Sequence, residues 1–417
     1  MKTRIVVLGA GTGGTLTANR LRASHHGDQL DITVVDQDTR HVYQPGLLFV
    51  PFGLATADDI VRPRPKQLHD GIDFIEASID HVDIGAKTVT LEDARTLAYD
   101  VLVVATGATL APEETEGLAD GWGGNVHSFY TLESAEKLAV ALREFEGGKL
   151  VVNVIDMPIK CPVAPLEFSF LADWFFHDRT IRDRVDLTFV TPLDGAFTKP
   201  VASEHFATML ADRNITVVSE FNTGEVDRFD GKLVSYDDRE VPFDLAVVIP
   251  LHSGQDYVGR SDGLGDDLNF VPTNPNTLQS LADPAIFAIG DATALPVSKA
   301  GSVSHFEGDI MVENILRFID GRELDASYDG HANCFIETGF GKAMLIDFNY
   351  DQEPVPGHYP GRVGLPLMKE SRLNHLGKLM FQWFYWHVLL PGRDVPGIAA
   401  TMPTAGKQIP PPQNTEE

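Results

Sequence analysis

Only two cysteines, Cys161 and Cys334, occur in the 417 residues. They stand 173 positions apart, with no CxxC and no Cys/His cluster at zinc spacing, which excludes a disulfide scaffold. Long apolar runs are missing too. No stretch of 18 apolar residues exists, so no transmembrane helix is expected. Basic residues are scarce, 33 against 60 acidic, and the formal charge of −27 repels phosphate backbones. Nucleic acid is therefore a poor partner, and a uniformly acidic surface would avoid anionic lipid as well. Lys2 and Arg4 precede an apolar stretch, but the glycines at 9, 11, 13 and 14 and Asn19-Arg20 break any secretory-signal reading. The expectation is a cytoplasmic enzyme. What remains is ordinary for a globular chain, with 43% hydrophobic and 22% charged residues and length for two or three domains.

The N-terminus carries the first positive signal. Arg4–Leu8 reads as a buried parallel strand and runs into Gly9-Ala10-Gly11-Thr12-Gly13-Gly14, then a helix over Thr15–Ala23. A second strand, Asp31–Val35, ends in Asp36, 22 residues after Gly14. Gly9 permits the tight turn, Gly11 lets backbone approach a pyrophosphate, and Gly14 lets helix and strand pack closely. The helix N-terminus supplies N–H donors and a positive dipole end, and Asp36 can take ribose hydroxyls. Strand, glycines, helix, strand and acid in this order point to dinucleotide binding.

Two later segments refine the dinucleotide. A strand from Tyr99 ends in Ala105-Thr106-Gly107, and another from Ala285 ends in Gly290-Asp291. The combination resembles the two-dinucleotide-binding-domain flavoproteins, the glutathione-reductase-like superfamily. That resemblance implies FAD, with Ala105, Thr106 and Gly107 abutting it and Asp291 bonding its ribityl and phosphate region. Gly290 permits close approach, and Asp291 precedes a helix over Val303–Ile319. Pro45, in Tyr43-Gln-Pro-Gly46, belongs to a plausible flavin-edge loop.

Glycine is absent where NADH-using members of this superfamily have a second glycine loop. The matching strand, Lys149–Ile155, is followed by Asp156–Pro165 and a helix over Leu166–Phe176, with no glycine between 149 and 194. Pro158, Pro162 and Pro165 lack N–H donors, so a second pyrophosphate finds no cradle. Cys161 sits there instead, at the start of a helix, where the dipole favours thiolate. With Cys334 downstream, the chain resembles the sulfide:quinone oxidoreductase family. Lys160–Pro165 matches its Lys-Cys-Pro-x-Ala-Pro segment, Cys334 its second cysteine, and Pro296–Lys299 its Pro-x-x-Lys element. The resemblance extends to about residue 397. It implies that Cys161 and Cys334 face the flavin as the sulfide-oxidising pair and that Lys299 approaches the flavin pyrimidine edge. A third cysteine of many members is missing from Asn125–Tyr130. Covalent flavin attachment through it is therefore in doubt. His127, nearby, is an acid/base candidate, whereas His305, His331 and His375 show no metal-ligand spacing, and no metal is expected.

Between Leu379 and Leu390 only Gln382 and His387 are polar, and two of the four tryptophans fall here. A helix of that length, about 18 Å, is too short to span a bilayer. Six basic residues (Arg362, Lys369, Arg372, Lys378, Arg393, Lys407) against two acidic (Glu370, Asp394) surround it between 362 and 407. This suits a monotopic membrane contact and a route for quinone; a helix packed on the core or in a dimer interface is the alternative. Phe340, Phe384 and Tyr385 are aromatic candidates for the quinone slot.

The expected architecture is α/β, with two Rossmann-like domains and a C-terminal membrane-contact region. The FAD domain is discontinuous, 1–108 and 256–325; a second Rossmann-like domain without its NAD site spans 109–255; residues 326–417 carry Cys334. The implied function is sulfide oxidation at the cysteine pair, forming sulfane sulfur or polysulfide, with two electrons passing through FAD to a membrane quinone. Alternatives are a type II NADH:quinone dehydrogenase, a flavocytochrome-type sulfide dehydrogenase, or a redox-inert flavin scaffold that binds protein.

Overall fold

A computed structural model describes residues 2–409 apart from Asp120, Asp394 and Pro396. Asp394 and residues 410–417 of the expected C-terminal region thus lie outside the described residues. Along the chain, β1 (Thr3–Leu8) leads into helix α1 (Thr12–Ala23), followed by β2 (Leu30–Asp36), β3 (Ile72–Glu76) and β4 (Val101–Val104). Next come β5 (Val126–His127), α2 (Leu132–Glu144), β6 (Gly148–Val154), α3 (Ala164–Asp178), β7 (Val185–Val190), α4 (Pro200–Asp212), β8 (Ile215–Val218) and β9 (Leu245–Ile249). The chain then adds β10 (Ile286–Ala288) and α5 (Gly301–Ile319), and ends with β11 (Ala332–Gly339), β12 (Lys342–Phe348), β13 (Gly357–Tyr359), β14 (Leu365–Leu367) and α6 (Arg372–Phe384).

Two five-stranded parallel sheets result. The first has the order β10-β4-β1-β2-β3, the second β5-β9-β6-β7-β8. Their central strands are continuous apolar runs because both faces are covered: Ile5, Val7, Leu8 and Val101–Val104 in one, Leu150–Val152 and Leu245–Ile249 in the other, are all nearly inaccessible. A four-stranded sheet, β11-β12-β14-β13, packs against α3 and α6. In the first sheet the strand order reverses between β1 and β4, the place where open α/β sheets leave a crevice at their carboxyl ends.

Three helices start earlier than their sequence patterns suggested. α1 begins at Thr12 because Gly13 and Gly14 form its first turn, α3 at Ala164 because Pro165 suits a first-turn position, and α5 at Gly301.

Candidate active site

The N-terminal glycines are held by their surroundings. Gly9 has φ +96°, a left-handed conformation that favours glycine, and a Cβ there would strike the Ala105 carbonyl. A Cβ on Gly14 would strike the Gly9 carbonyl, whereas one on Gly11 would enter open space. Gly9, Gly11 and Gly13, with Thr12, border a cleft of about 530 Å3 that also meets Asp36, Pro45, the Ala105–Gly107 turn and the Gly290-Asp291 turn. Ala10 and Gly14, also expected at the cofactor, do not border the cleft: Ala10 is fully buried, and Gly14 packs against the Gly9 carbonyl. The fit to a dinucleotide rests on this backbone: a helix N-terminus facing an open crevice, kept clear by residues without side chains. Asp36 receives the Ala10 N–H at 2.7 Å and the Arg64 guanidinium at 2.7 Å. Burial nevertheless pushes its carboxyl up, against the pull of Arg64.

Lys299 is tied down rather than free. Its ammonium donates to the carbonyls of Asp291 (3.1 Å) and Thr293 (2.7 Å) and lies 4.0 Å from the Phe270 ring centre. Lys160 borders the same cleft, where burial lowers its pKa while Asp291 and Cys161 oppose the shift.

Cys161 and Cys334, from the β6–α3 loop and from β11, both line this cleft and are free thiols. Cys161 has φ +48°, an unfavourable region for a residue with a Cβ. Two backbone bonds and a tyrosine hold it there. Its N–H donates to the Lys299 carbonyl at 2.6 Å, and its carbonyl accepts from Ala164 N at 2.8 Å and the Tyr130 hydroxyl at 3.3 Å. The expected dipole-stabilised thiolate does not appear. Burial pushes the Cys161 thiol well up, Glu167 and Cys334 push it further, and only Lys378 opposes. Cys334 is likewise pushed up to about 12, first by burial and then by Glu167. The helix begins three residues beyond Cys161, and burial of the thiol, more than any neighbouring charge, sets the direction of the shift.

Glu167 and Lys378 are cleft residues that sequence reading missed. Glu167 receives the Glu337 N–H at 2.6 Å and is ion-paired with Lys378, whose ammonium also donates to the Phe335 carbonyl at 3.1 Å. His375 closes the group at 2.9 Å from Glu337. One signal was available: Lys378 is a lone cation entering an otherwise apolar run.

Of the three aromatics expected at a quinone slot, Tyr385 alone lines the cleft. Phe340 is instead at the tip of the β11–β12 hairpin, half exposed and 5.6 Å from the His177 ring. Phe384 packs beside Phe381, and it is Phe381 that shares the cleft-facing side with Tyr385, four positions on. His127 is buried on β5, its Nε2 bonded to the Gly124 carbonyl at 2.9 Å, and does not reach the cleft. His305 contacts Arg20 and His331 contacts Asp347. Among the described residues no cluster of three or more His, Cys, Asp or Glu could hold a metal.

The exposed apolar face near the C-terminus also differs from expectation. Leu373, Leu376, Leu379, Met380 and Trp383 are exposed, whereas Tyr385, Trp386, Leu389 and Leu390 are buried against the body. Two of the six cations are withdrawn from the surface: Lys378 into its pair with Glu167, and Lys407 into a fully buried pair with Asp347. Among the described residues, no helix is long and apolar enough to cross a membrane.

The parallel sheets, the glycine cradle and the two turns that face it define an FAD-dependent oxidoreductase of the two-dinucleotide-binding-domain class. Residues 3–154 match the family model described as pyridine nucleotide-disulphide oxidoreductase. Within that class the chain is similar to the sulfide:quinone oxidoreductases. It is 25% identical over 399 residues to the mitochondrial sulfide:quinone oxidoreductase of Mus musculus, covering 93% of this chain and 86% of that protein. It is 28% identical over 314 residues to the sulfide-quinone reductase of Aquifex aeolicus, 71% of this chain and 70% of the relative. The X-ray structure of the sulfide:quinone oxidoreductase from Aquifex aeolicus superposes with a TM-score of 0.80 at 24% identity, covering 94% and 92% of the two chains.

Proposed function

We propose that the protein oxidises sulfide at Cys161 and Cys334 and passes two electrons through FAD to a membrane quinone. The observation that carries this reading is the meeting of the two cysteines in the cleft that the glycine loop and the Gly-Asp turn border. The division into an FAD domain (1–108 and 256–325), a second Rossmann-like domain (109–255) and a C-terminal region follows the same reading.

FAD, when bound, supplies reversible two-electron acceptance; Gly9–Gly14, Asp36, Ala105–Gly107 and Asp291 would hold it. The chain's own residues do the rest. In the oxidised pair, hydrosulfide attacks one sulfur: the Cys–Cys bond breaks, a bond between sulfide and that cysteine forms, and the other cysteine leaves as thiolate. Both sulfurs sit where burial opposes negative charge, so the leaving sulfur needs a cation or a proton. Lys378 provides the cation, and Glu167, whose carboxyl burial pushes up, can hold a proton beside it. Lys299 fixes positive charge at the Gly-Asp turn, and Phe381, which is half-buried in the cleft wall, offers a flat face to a quinone ring. The face from Leu373 to Trp383, with the exposed cations Arg362, Lys369, Arg372 and Arg393, suits a membrane surface.

An anaerobic titration of the flavin with sulfide tests the reading. Wild type should bleach with sulfide and stay oxidised with NADH, and Cys161→Ser should lose at least a hundredfold in the rate of bleaching. Undiminished reduction in the variant would remove Cys161 from the mechanism, and bleaching by NADH would favour a type II dehydrogenase.

A further inference from the structure

Thr12 opens α1 and borders the cleft beside the glycines. Its hydroxyl lies 2.7 Å from the hydroxyl of Tyr385, which in turn lies 2.7 Å from Nε2 of His41. Tyr385 arrives from 373 positions away, on the single π turn (Tyr385–Leu389) that follows α6. The same segment meets the same helix at two further places. Asn19 Nδ2 donates to the Leu390 carbonyl at 2.7 Å, and Gly392 sits where a Cβ would press on the Arg20 side chain.

The protons in this chain of three groups can be counted. Burial, reinforced by Arg64, pushes the His41 pKa down to about 3, so the ring is neutral and carries one N–H. Each hydroxyl also has one proton to give. A hydroxyl between two partners donates to one and accepts from the other. With the His41 proton on Nε2, His41 donates to Tyr385 and Tyr385 donates to Thr12, which leaves the Thr12 proton free for the cleft. With the other tautomer, the Thr12 proton is spent inward and only lone pairs face the cleft. Only the first arrangement adds the Thr12 hydroxyl to the N–H donors that an anion meets at a helix N-terminus.

We propose that the C-terminal π turn completes the FAD cradle: Tyr385, supported by His41, orients the Thr12 hydroxyl as a donor to the dinucleotide pyrophosphate and thereby couples FAD retention to docking of the C-terminal segment. The inference rests on the flavin reading above and adds Tyr385 and His41 to the residues that act on the cofactor, both as positioning residues. By linkage, FAD must also hold the segment more firmly.

Two measurements test it. FAD binding to the apoprotein, followed by quenching of flavin fluorescence, compares wild type with Tyr385→Phe, which keeps the ring against Tyr43 and Trp386. Loss of one neutral hydrogen bond should raise Kd about five- to tenfold. Thr12→Val should weaken binding too, and the double variant should lose little more than Thr12→Val alone, a non-additivity that a general loss of stability would not produce. An unchanged Kd in Tyr385→Phe, or fully additive losses, overturns the inference. Wild type that binds no FAD would instead sink the flavin reading itself. The second measurement needs no substitution: tryptic cleavage after exposed Arg393 should slow several-fold when FAD is added to apoprotein. Equal cleavage rates with and without FAD overturn the coupling.

Discussion

Glu307, on α5, is fully buried beneath the Gly-Asp turn, where one carboxylate oxygen takes the Gly290 N–H at 2.7 Å. Burial pushes its pKa from 4.5 up to about 7, with Asp291 adding to the shift and Lys299 and the Gly290 bond opposing it. The folded chain therefore holds this proton more tightly than the unfolded chain does. Its contribution to stability is intact below about 4.5 and is lost as pH rises through about 7. Glu307→Gln keeps an acceptor for Gly290 and cannot ionise. It should match wild type near pH 4 and gain up to about 3 kcal/mol above pH 8 in urea unfolding; a gain equal at both pH values would refute the assignment. Lys378 poses the opposite case. Lys378→Met would strand Glu167 in a buried site, at a cost of about 3–5 kcal/mol. The double variant with Glu167→Gln should recover much of that loss, which a double-mutant cycle would read.

At the scale of elements, α6 shows how little a hydrophobic run says about direction. The run over 379–390 is apolar except at Gln382 and His387, yet its second half turns inward: Trp386 lies 5.3 Å from the His41 ring and 4.4 Å from the Arg62 guanidinium. The outward face consists of residues at helical spacing from Leu373 to Trp383, two turns nearer the N-terminus than the run suggested. Two substitutions separate the roles. Leu376→Glu with Trp383→Glu should lower partition onto phosphatidylcholine/phosphatidylglycerol vesicles at least tenfold in a sedimentation assay, with the melting temperature nearly unchanged. Trp386→Ala should cost about 3–5 kcal/mol of folding stability instead. The reverse pattern would mean that the buried half is the docking face. The β6–α3 loop makes a comparable point: missing glycines were legible as the loss of a nucleotide loop, but the left-handed backbone of Cys161 was not.

The whole molecule carries −27, and its distribution alters the docking picture. Residues 362–407 hold six cations formally, but burial of Lys378 and Lys407 leaves four at the surface, and Arg213 engages Glu370 at 2.7 Å. Docking should therefore lean more on the apolar face than on charge: raising NaCl from 0.1 to 1 M should reduce vesicle binding only modestly. Folding should respond the other way. Screening shortens the reach of like-charge repulsion from about 10 to about 3 Å, so the melting temperature of this acidic chain should rise by several degrees over the same range. A flat or falling melting temperature would show that surface repulsion contributes little.

The dinucleotide cradle was written in the sequence because its parts are neighbours along the chain. Strand, glycines, helix and acid lie within about forty residues, and steric rules at Gly9 and Gly14 hold whatever the rest of the molecule does. The two sheets were legible for the same local reason, as β-branched runs buried on both faces. Tertiary structure alone decided which distant groups share the cleft. It brought Lys378 to Glu167 and Tyr385 to Thr12, set Phe340 apart on a hairpin tip, raised the cysteine thiols by burial, and chose which side of α6 faces outward. Such contacts join segments hundreds of residues apart, and no spacing along the chain encodes them. Packing of the C-terminal sheet and helix against the two parallel sheets does.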